Sequence, residues 1–309
     1  MTFESTIREY LITLRQEGKS DATRRMYGWH VKKLFKWLAD RQIDRLDEVS
    51  RSLLREWGAE LYDHWSTATI KQAVSSAKSF FTWCYEEGLV KENPGQALKV
   101  PRVKDRIQRT LSIEEIVTIL NACDVDTTKG LRDRAIVSLL VDSGIRAGEV
   151  CRLEITDVDL KRGVLAVVGK GGDMDFAHFS RVTAGYLQSW LEVRPSVLEM
   201  NGLFLSIGGL TPRHRLTERG LRIILKKLGE KAGVLGVSPH AFRRSFACIV
   251  TEAGASSRSL QLFGRWEDIR MVERYTRALK AAQLYPQYSP MSYIEKMNYK
   301  WQQPRLFEL

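Results

Sequence analysis

The sequence predicts a mainly α-helical protein with a small antiparallel β-sheet, an α+β fold in two domains. Residues 3–100 carry apolar residues at helical spacing in four segments. A basic stretch containing a proline follows, and the remainder is again helical except for two β-rich runs around "GKGGD". With 309 residues, of which 44% are hydrophobic, the chain is long enough to bury two cores.

The four N-terminal helices are predicted from their start and stop residues as well as their periodicity. The first helix is expected to end at Gly18, and Ser20 is the expected N-cap of the second. Ser66 is the expected N-cap of the fourth, which ends before "KENP". We therefore predict a helical domain over residues 1–98.

Residues 99–110 are predicted to form a basic, extended linker, because they contain a proline and show little periodicity. Two interpretations are open for this segment, a solvated tether or a tether that also contacts phosphate groups. Its positive side chains, set against the single acid Asp105, are Lys99, Arg102, Lys104, Arg106 and Arg109.

A second domain is expected over residues 111–285. Ser112 is a predicted N-cap, and the acidic residues Glu114 and Glu115 suit the positive end of the helix that it starts. "GLRDRAIVSLLVDSGI" is predicted to be a buried helix, and the runs on either side of "GKGGD" are predicted to form a hairpin. Residues 286–309 are treated as a C-terminal tail.

Composition limits the class of partner. The formal net charge is +11, and the excess of Lys and Arg is divided between both halves of the chain. A cationic protein of this size most often meets a polyanion, and nucleic acid is the better candidate because no membrane-type amphipathic helix stands out. No run approaches the roughly 18 apolar residues of a membrane span, and the N-terminus lacks a signal-peptide pattern. We expect a soluble, cytoplasmic, nucleoid-associated protein without a membrane partner.

The cysteines and histidines do not predict a metal site. None of the four cysteines belongs to a CxxC pair, and no His/Cys cluster has zinc spacing. Reduced, buried thiols are expected, with no metal and no cofactor.

Arg146 and Lys170 are the first two candidates for chemistry. Arg146 lies at a glycine-containing junction next to an apolar helix, so it must be paired or have a task, and Glu149 is the candidate partner. A salt bridge at a helix start is the structural alternative. Lys170 lies between glycines, which let a loop approach a ligand closely, although a solvated turn residue would look the same.

The other candidates lie towards the C-terminus. In "VSPHAFRRSFAC", His240 and Arg243 are expected on one face near a helix start, where an anion can bind. In "FGRWEDIRMVERYTR", Tyr275 is expected at the half-exposed edge of a helix that starts at Asp268. Tyr275 is a core aromatic, a DNA-stacking ring or a nucleophile, and Trp266 by itself would be a core or hinge aromatic.

Taken together, these side chains suit attack on a phosphodiester, whose transition state carries additional negative charge. Arg146 and Arg243 are able to clamp the non-bridging oxygens. Lys170 is able to protonate the leaving oxygen, and His240 to take the proton of the attacking hydroxyl. Tyr275 is then the nucleophile that holds the covalent intermediate.

The ordered motifs resemble those of the tyrosine recombinase (phage integrase) family. "SGIRAGEVCRL" resembles its first arginine motif, "GKGGD" its hairpin lysine, and "HAFRRSFA" its His-x-x-Arg box. "FGRWEDIRMVERYT" resembles its last motif, in which a His or Trp precedes the nucleophilic Tyr by nine residues. The resemblance spans nearly the whole chain.

The resemblance implies specific roles. Arg146 and Arg243 would bind the scissile phosphate, Lys170 would be the general acid, and Tyr275 would form a 3′-phosphotyrosyl bond. His240 would assist as an acid or base. Further implied roles are positioning by Trp266, orientation of an arginine by Glu149, and contact with DNA by Arg102, Lys104, Arg106, Arg109 and Arg244.

The resemblance also implies an architecture and partners. Residues 1–98 would be a core-binding, SAM-like domain and residues 111–285 the catalytic domain. The expected partner is double-stranded DNA with specific sites, recombined through a Holliday junction by a homotetramer that is monomeric or dimeric when free. An accessory or sister recombinase is a further candidate partner, and the tail would pack on a neighbouring protomer. Alternatives are type IB topoisomerase-like DNA relaxation and non-catalytic DNA binding.

Overall fold

The structure is a computed structural model in which the described residues are 3–103, 108–169, 172–196, 200–208, 214–277, 279 and 289–290. Over these ranges the chain forms twelve α-helices and one three-stranded antiparallel sheet, which confirms the predicted fold class. Two compact units are present, Met1–Arg106 and Ile107–Leu309, and their boundary falls inside the predicted linker. No helix in the described ranges is long and apolar enough to cross a membrane.

The first unit contains the four predicted α-helices. Ser20 and Ser66 cap two of them, each accepting a hydrogen bond from a backbone N–H three residues later, and Gly18 follows the first with φ of +74°. The helices are α1 (Phe3–Gln16), α2 (Asp21–Ala39), α3 (Arg51–His64) and α4 (Thr67–Glu86).

Aromatic rings fill the core of this unit. The ring centroid of Phe80 lies 5.3 Å from that of Tyr10, 5.2 Å from that of Phe35 and 5.9 Å from that of Trp83. The hydroxyl of Tyr10 donates to Ser79 Oγ at 2.8 Å, so its polar group is satisfied inside the core. The apolar stripes of α1, α2 and α4 therefore meet around one cluster.

The second unit contains eight α-helices and the sheet within its described residues. The strands are β1 (Val158–Asp159), β2 (Val164–Val168) and β3 (Met174–His178). The helices are α5 (Ile113–Asn121), α6 (Thr128–Ser143), α7 (Ala147–Arg152), α8 (Arg181–Val193), α9 (Glu218–Ala232), α10 (Pro239–Glu252), α11 (Ser257–Gly264) and α12 (Ile269–Thr276).

The predicted hairpin is present as β2 and β3, paired in antiparallel register from Val164 opposite His178 to Val168 opposite Met174. Strand β1 adds an edge that the sequence did not predict, because two residues are too few for a periodic pattern. Ser112 caps α5 as expected, in a reciprocal capping box with Glu115.

Helix α6 is the buried helix predicted from its apolar run, and it packs against α8 and α10. Ala135, Ile136, Val137, Leu139 and Leu140 are each fully buried. Because α6 is packed on several sides, its C-terminal end is held in place, and so are the residues that follow it.

All four cysteines are buried free thiols, as the sequence predicted. Burial raises the pKa to about 12 for Cys84 and Cys123 and to about 11 for Cys151 and Cys248. These thiols are therefore protonated and unreactive at neutral pH.

Gly144 determines how the chain leaves α6 and enters α7. Its φ of +57° lies in the left-handed region, which favours glycine. A Cβ at this position would lie 2.4 Å from the ring of Phe246, which is on α10. The turn brings Arg146 to the N-cap position of α7 two residues later.

Gly144 meets two constraints, a left-handed backbone conformation and the close approach of the Phe246 ring, and mutation separates them. Gly233, at the end of α9, has a similar φ of +68°, but a Cβ added there would have nothing within 4 Å of it. We expect Gly233→Ala to lower the free energy of unfolding by about 1 kcal/mol. Gly144→Ala should cost a further ~1–3 kcal/mol, because the ring of Phe246 must also move. Urea denaturation of both variants measures the difference, and equal losses would contradict the packing argument.

Candidate active site

Arg146 and Glu149 form an ion pair at the start of α7. Glu149 Oε2 accepts from the backbone N–H of Arg146 at 2.9 Å, and Oε1 accepts from Arg146 Nη1 at 2.7 Å. Glu149 is buried, with 3% exposure, whereas the Arg146 side chain is 38% exposed. The contact expected from the sequence is therefore present, and Arg146 keeps part of its guanidinium at the surface.

The carboxylate of Glu149 stays ionised despite its burial. Burial on its own would raise the pKa of Glu149, yet the charges of Arg265 and Arg146 and hydrogen bonds from Arg146 hold it below the ordinary value. A buried carboxylate requires such partners, because its desolvation is otherwise unfavourable.

Arg243 on α10 is buried behind this pair, with 3% exposure. Its Nη1 donates to the carbonyl of Gly144, and its Nη2 donates to the carbonyl of Gly264. Burial lowers the pKa of Arg243, and the positive charges of Arg146 and Arg265 lower it further. A guanidinium nevertheless remains protonated in proteins, so the site keeps this positive charge.

Trp266 and Tyr275 lie next to Arg243. The Arg243 Cζ atom is 4.8 Å from the centroid of the Trp266 ring, and the Trp266 and Tyr275 ring centroids are 5.2 Å apart. Trp266 is 6% exposed, and its Nε1 is buried without a hydrogen-bond partner. Tyr275 is half-buried on α12, which Asp268 caps as predicted.

Helix α12 is shorter and less buried than the predicted apolar stripe. The stripe was expected to run from Ile269 through Val272 and Thr276 to Leu279. The helix ends at Thr276, and Val272 is its one residue that is fully buried. The half-exposed edge position predicted for Tyr275 is nevertheless where its ring lies.

Arg265 belongs to the same cluster and was not among the residues predicted from the sequence. Its Nη2 donates to Glu149 Oε2 at 2.7 Å, and its carbonyl accepts from Arg146 Nη2 at 3.0 Å. The available signal was its position beside Trp266 in the last motif. Because arginine is almost always exposed unless it is paired, that position alone did not predict burial.

His240 lies in the first turn of α10, which Ser238 caps. The sequence placed it on one face with Arg243, but the His240 side chain is exposed and that of Arg243 is buried. Desolvation by nearby protein atoms lowers the pKa of His240. The positive charges of Arg244, Arg222 and Arg243 lower it further, and the negative charge of Glu218 partly opposes them. The imidazole is therefore neutral at pH 7 and able to accept a proton.

Several predicted residues lie outside the described part of the chain. Lys170 falls between β2 and β3, and Lys104 and Arg106 fall in the linker, all three within gaps of the description. Arg102 is described and exposed.

The other two predicted DNA contacts have partners within the protein. Arg109 forms an ion pair with Glu115 at the start of α5. Arg244 donates from Nε to the Arg109 carbonyl at 2.8 Å and from Nη1 to Gln108 Oε1 at 2.8 Å. These bonds attach the end of the linker to α10.

The arrangement places a tyrosine hydroxyl close to a cluster of buried and half-buried cations. The guanidinium groups of Arg146 and Arg265 bind the Glu149 carboxylate, and that of Arg243 lies close to both. Tyr275 lies half-buried next to them. Positive charge in a partly water-excluded site binds a phosphate and stabilises charge that develops on it. In the described ranges no group of three or more His, Cys, Asp or Glu side chains is placed to hold a metal ion.

Comparison with known proteins places both parts of the chain in one group. Residues 109–282 match the model of the phage integrase family, and residues 7–88 match the phage integrase N-terminal SAM-like domain. Tyrosine recombinase XerD of Staphylococcus epidermidis is 29% identical over 293 residues, which cover 92% of this chain and 98% of that protein.

Solved structures share the fold. A lambda integrase dimer bound to a COC′ core site superposes with a TM-score of 0.70 at 18% identity, covering 99% of this chain and 81% of that one. The XerA recombinase superposes with a TM-score of 0.54 at 24% identity, covering 93% of this chain and 99% of that one.

The electrostatic account of His240 predicts its titration. Its imidazole pKa, followed by NMR, should lie below the ordinary value of 6.5. Arg244→Gln should raise it, because a positive charge that disfavours the imidazolium is removed. Arg258→Gln, on the exposed face of α11, is the matched control and should leave it unchanged. A wild-type value at or above 6.5, or no response to Arg244→Gln, would contradict this account.

Proposed function

This chain belongs to the phage integrase family and is a site-specific tyrosine recombinase, and we propose that it cleaves duplex DNA with the hydroxyl of Tyr275. The observation that carries the proposal is the half-buried Tyr275 beside Trp266 and the buried guanidinium of Arg243. The family's enzymes are DNA strand transferases that require neither metal nor ATP.

Cleavage is proposed as an in-line exchange at one phosphodiester. The Tyr275 oxygen forms a bond to phosphorus, the bond to the 5′ oxygen breaks, and a 3′-phosphotyrosyl bond with a free 5′ hydroxyl results. Arg146 and Arg243 donate to the non-bridging oxygens. The partial exposure of Arg146 supports direct contact, whereas Arg243 contributes its charge and the N–H groups not used by the two carbonyls.

Two further side chains are proposed to move protons. His240 takes the proton of the Tyr275 hydroxyl, and its lowered pKa supports this role because the neutral form is the one that accepts. Lys170 protonates the 5′ oxygen as it leaves, from the loop that joins β2 to β3. The reverse reaction, attack by a 5′ hydroxyl on the phosphotyrosyl bond, restores the DNA backbone and releases Tyr275.

Trp266 and Glu149 are proposed as supporting residues. The ring of Trp266 lies against both Arg243 and Tyr275, so it supports the positions of the cation and the nucleophile. Its indole N–H donates but does not accept protons, which excludes a shuttle. Glu149 holds Arg146 through two hydrogen bonds.

The proposed partner is double-stranded DNA with specific recombination sites. The lambda integrase neighbour, a dimer on its core site, supports DNA as the partner. By extension, four protomers would exchange strands through a Holliday junction on DNA. Without DNA the protein would be a monomer or dimer. An accessory or sister recombinase would take part in some reactions. The SAM-like match over residues 7–88 supports a core-binding role for the N-terminal unit.

The domain and linker assignments are also proposals. Residues 1–98 would bind DNA, residues 111–285 would carry the chemistry, and residues 286–309 would pack on a neighbouring protomer. Arg102, Lys104, Arg106, Arg109 and Arg244 would contact phosphates, in the case of Arg109 and Arg244 after exchanging their present partners. Action on DNA implies a cytoplasmic location, with association with the nucleoid.

The nucleophile is tested by trapping it. A pool of nicked suicide duplexes with randomised core sequence is incubated in EDTA with wild type, Tyr275→Phe or Tyr186→Phe. The half-buried Tyr186 on α8 is the matched control. We expect a protein–DNA adduct on a denaturing gel for wild type and Tyr186→Phe, and none for Tyr275→Phe.

Other outcomes of this experiment reject the proposal. An adduct from Tyr275→Phe would assign the nucleophile elsewhere. DNA binding without any adduct would favour a non-catalytic DNA-binding protein. The topoisomerase-like alternative needs a separate assay on supercoiled plasmid, in which relaxation without a specific site would favour it.

Trp266 is tested by three substitutions. Trp266→His should keep the adduct-forming rate within about tenfold, because imidazole retains a ring and a donor. Trp266→Ala should lose roughly 100-fold, because Arg243 and Tyr275 lose the ring that lies against both. Trp266→Phe, which keeps the ring without the donor, separates packing from hydrogen bonding. Rates are measured per folded molecule, and equal losses in the His and Ala variants would contradict a positioning role.

A further inference from the structure

Arg265 has a backbone conformation that is unusual for its residue type. It follows α11 with φ of +52°, and among the described residues Gln42 is the one other non-glycine with a positive φ. The left-handed region is unfavourable for a residue with a Cβ, so glycine would be the unstrained choice. An arginine here indicates that its side chain has a compensating role.

Both ends of Arg265 act on the pair formed by Arg146 and Glu149. The side chain is 3% exposed and donates to Glu149 Oε2 at 2.7 Å. The backbone carbonyl, which the left-handed conformation directs towards α7, accepts from Arg146 Nη2 at 3.0 Å. Arg146 is thus held on one side by Glu149 and on the other by the Arg265 carbonyl.

One of the remaining donors of Arg265, Nε, lies near the hairpin. Nε and Nη1 are buried without hydrogen-bond partners, and Nε lies 3.9 Å from Asp175 Oδ2. Asp175 belongs to β3, the strand that follows Lys170 in the sequence. Arg265 therefore lies between the carboxylate that holds Arg146 and a carboxylate of the hairpin.

The charge of Arg265 also helps to keep Glu149 ionised. It is the largest of the influences that lower the pKa of Glu149 against burial, with Arg146 next. Other charged groups on the elements around α7 are Arg243 on α10, Asp175 on β3, and Glu218 and Arg222 on α9. Without Arg265, a buried Glu149 would have one direct cationic partner, and its pKa would rise.

We propose that Arg265 is a positioning residue for DNA cleavage, which orients Arg146 through the side chain of Glu149 and through its own carbonyl. The inference rests on the proposed function, since it concerns the orientation of a guanidinium that binds the scissile phosphate. Arg265 acts through these groups and does not itself contact DNA.

The test compares Arg265→Gly and Arg265→Lys with wild type in the adduct-forming reaction, at saturating protein and across a range of pH. Glycine removes the guanidinium and the backbone strain together, whereas lysine keeps a positive charge. Gln42→Gly, which relieves the same backbone conformation at an exposed position of the first unit, is the matched control. Melting temperature is measured for every variant.

We expect Arg265→Gly to keep its melting temperature near that of wild type while the rate falls about 10- to 100-fold, the scale of one lost charge-assisted hydrogen bond. As pH falls, its rate should decline at pH values where wild type is still active, because Glu149 becomes protonated and releases Arg146. Arg265→Lys should recover part of the rate, and Gln42→Gly should leave rate and pH profile unchanged.

Two results would overturn the proposal. One is an Arg265→Gly rate per folded molecule within about twofold of wild type, the scale of an ordinary surface substitution. The other is a rate loss with an unmoved pH profile, which indicates a purely structural role. If Arg265→Gly does not fold, Arg265→Gln, which removes the charge but keeps a long side chain, is judged by the same criteria. If the proposed function were wrong, wild type itself would form no adduct through Tyr275. That result differs from one in which wild type forms the adduct and only the role of Arg265 fails.

Discussion

The buried carboxylate of Glu149 is the group on which the rest of the candidate site depends. Arg146 and Arg265 both bind it, and their charges lie close enough to Arg243 to lower the pKa of that buried guanidinium. Three guanidinium groups around one carboxylate leave an excess of positive charge in a partly desolvated place, which is unfavourable until an anion arrives. A phosphodiester meets that need, because its charge is delocalised over oxygens that accept from guanidinium groups.

Backbone carbonyls accept hydrogen bonds from the arginine N–H groups that do not bind the carboxylate of Glu149. Arg243 donates to the carbonyls of Gly144 and Gly264, which end α6 and α11, and Arg146 donates to the carbonyl of Arg265. Carbonyls at helix ends lack partners within the helix and carry partial negative charge. Close approach at these ends requires glycine, since a Cβ on Gly264 would lie 2.2 Å from the ring of Trp266. The carbonyls at the helix ends thus gain donors, and the arginine N–H groups gain acceptors.

The half-buried position of Tyr275 follows from the same packing. Its ring centroid lies 5.2 Å from that of Trp266, and Arg243 Cζ lies 4.8 Å from the Trp266 centroid, so the tyrosine, the indole and the cation are packed together. This packing places the Tyr275 hydroxyl near positive charge, whereas Val272 is the one fully buried residue of its helix, α12. Exposure on one side admits a macromolecular substrate, and the formal net charge of +11 favours a polyanion over long distances.

The sequence by itself determined the four N-terminal helices, the buried helix α6, the caps at Ser20, Ser66 and Ser112, the hairpin and the order of the motifs that contain Arg146, Arg243, Trp266 and Tyr275. These features are local, because periodicity and capping hydrogen bonds join residues a few positions apart. The burial of Arg265, its bond to Glu149 and the attachment of Arg244 to the linker appeared only in the tertiary structure. Arg265 and Glu149 are 116 positions apart, and Arg244 and Arg109 are 135 apart. Contacts at such separations depend on how whole helices pack, and an arginine that packing buries has the same local sequence signal as one in water.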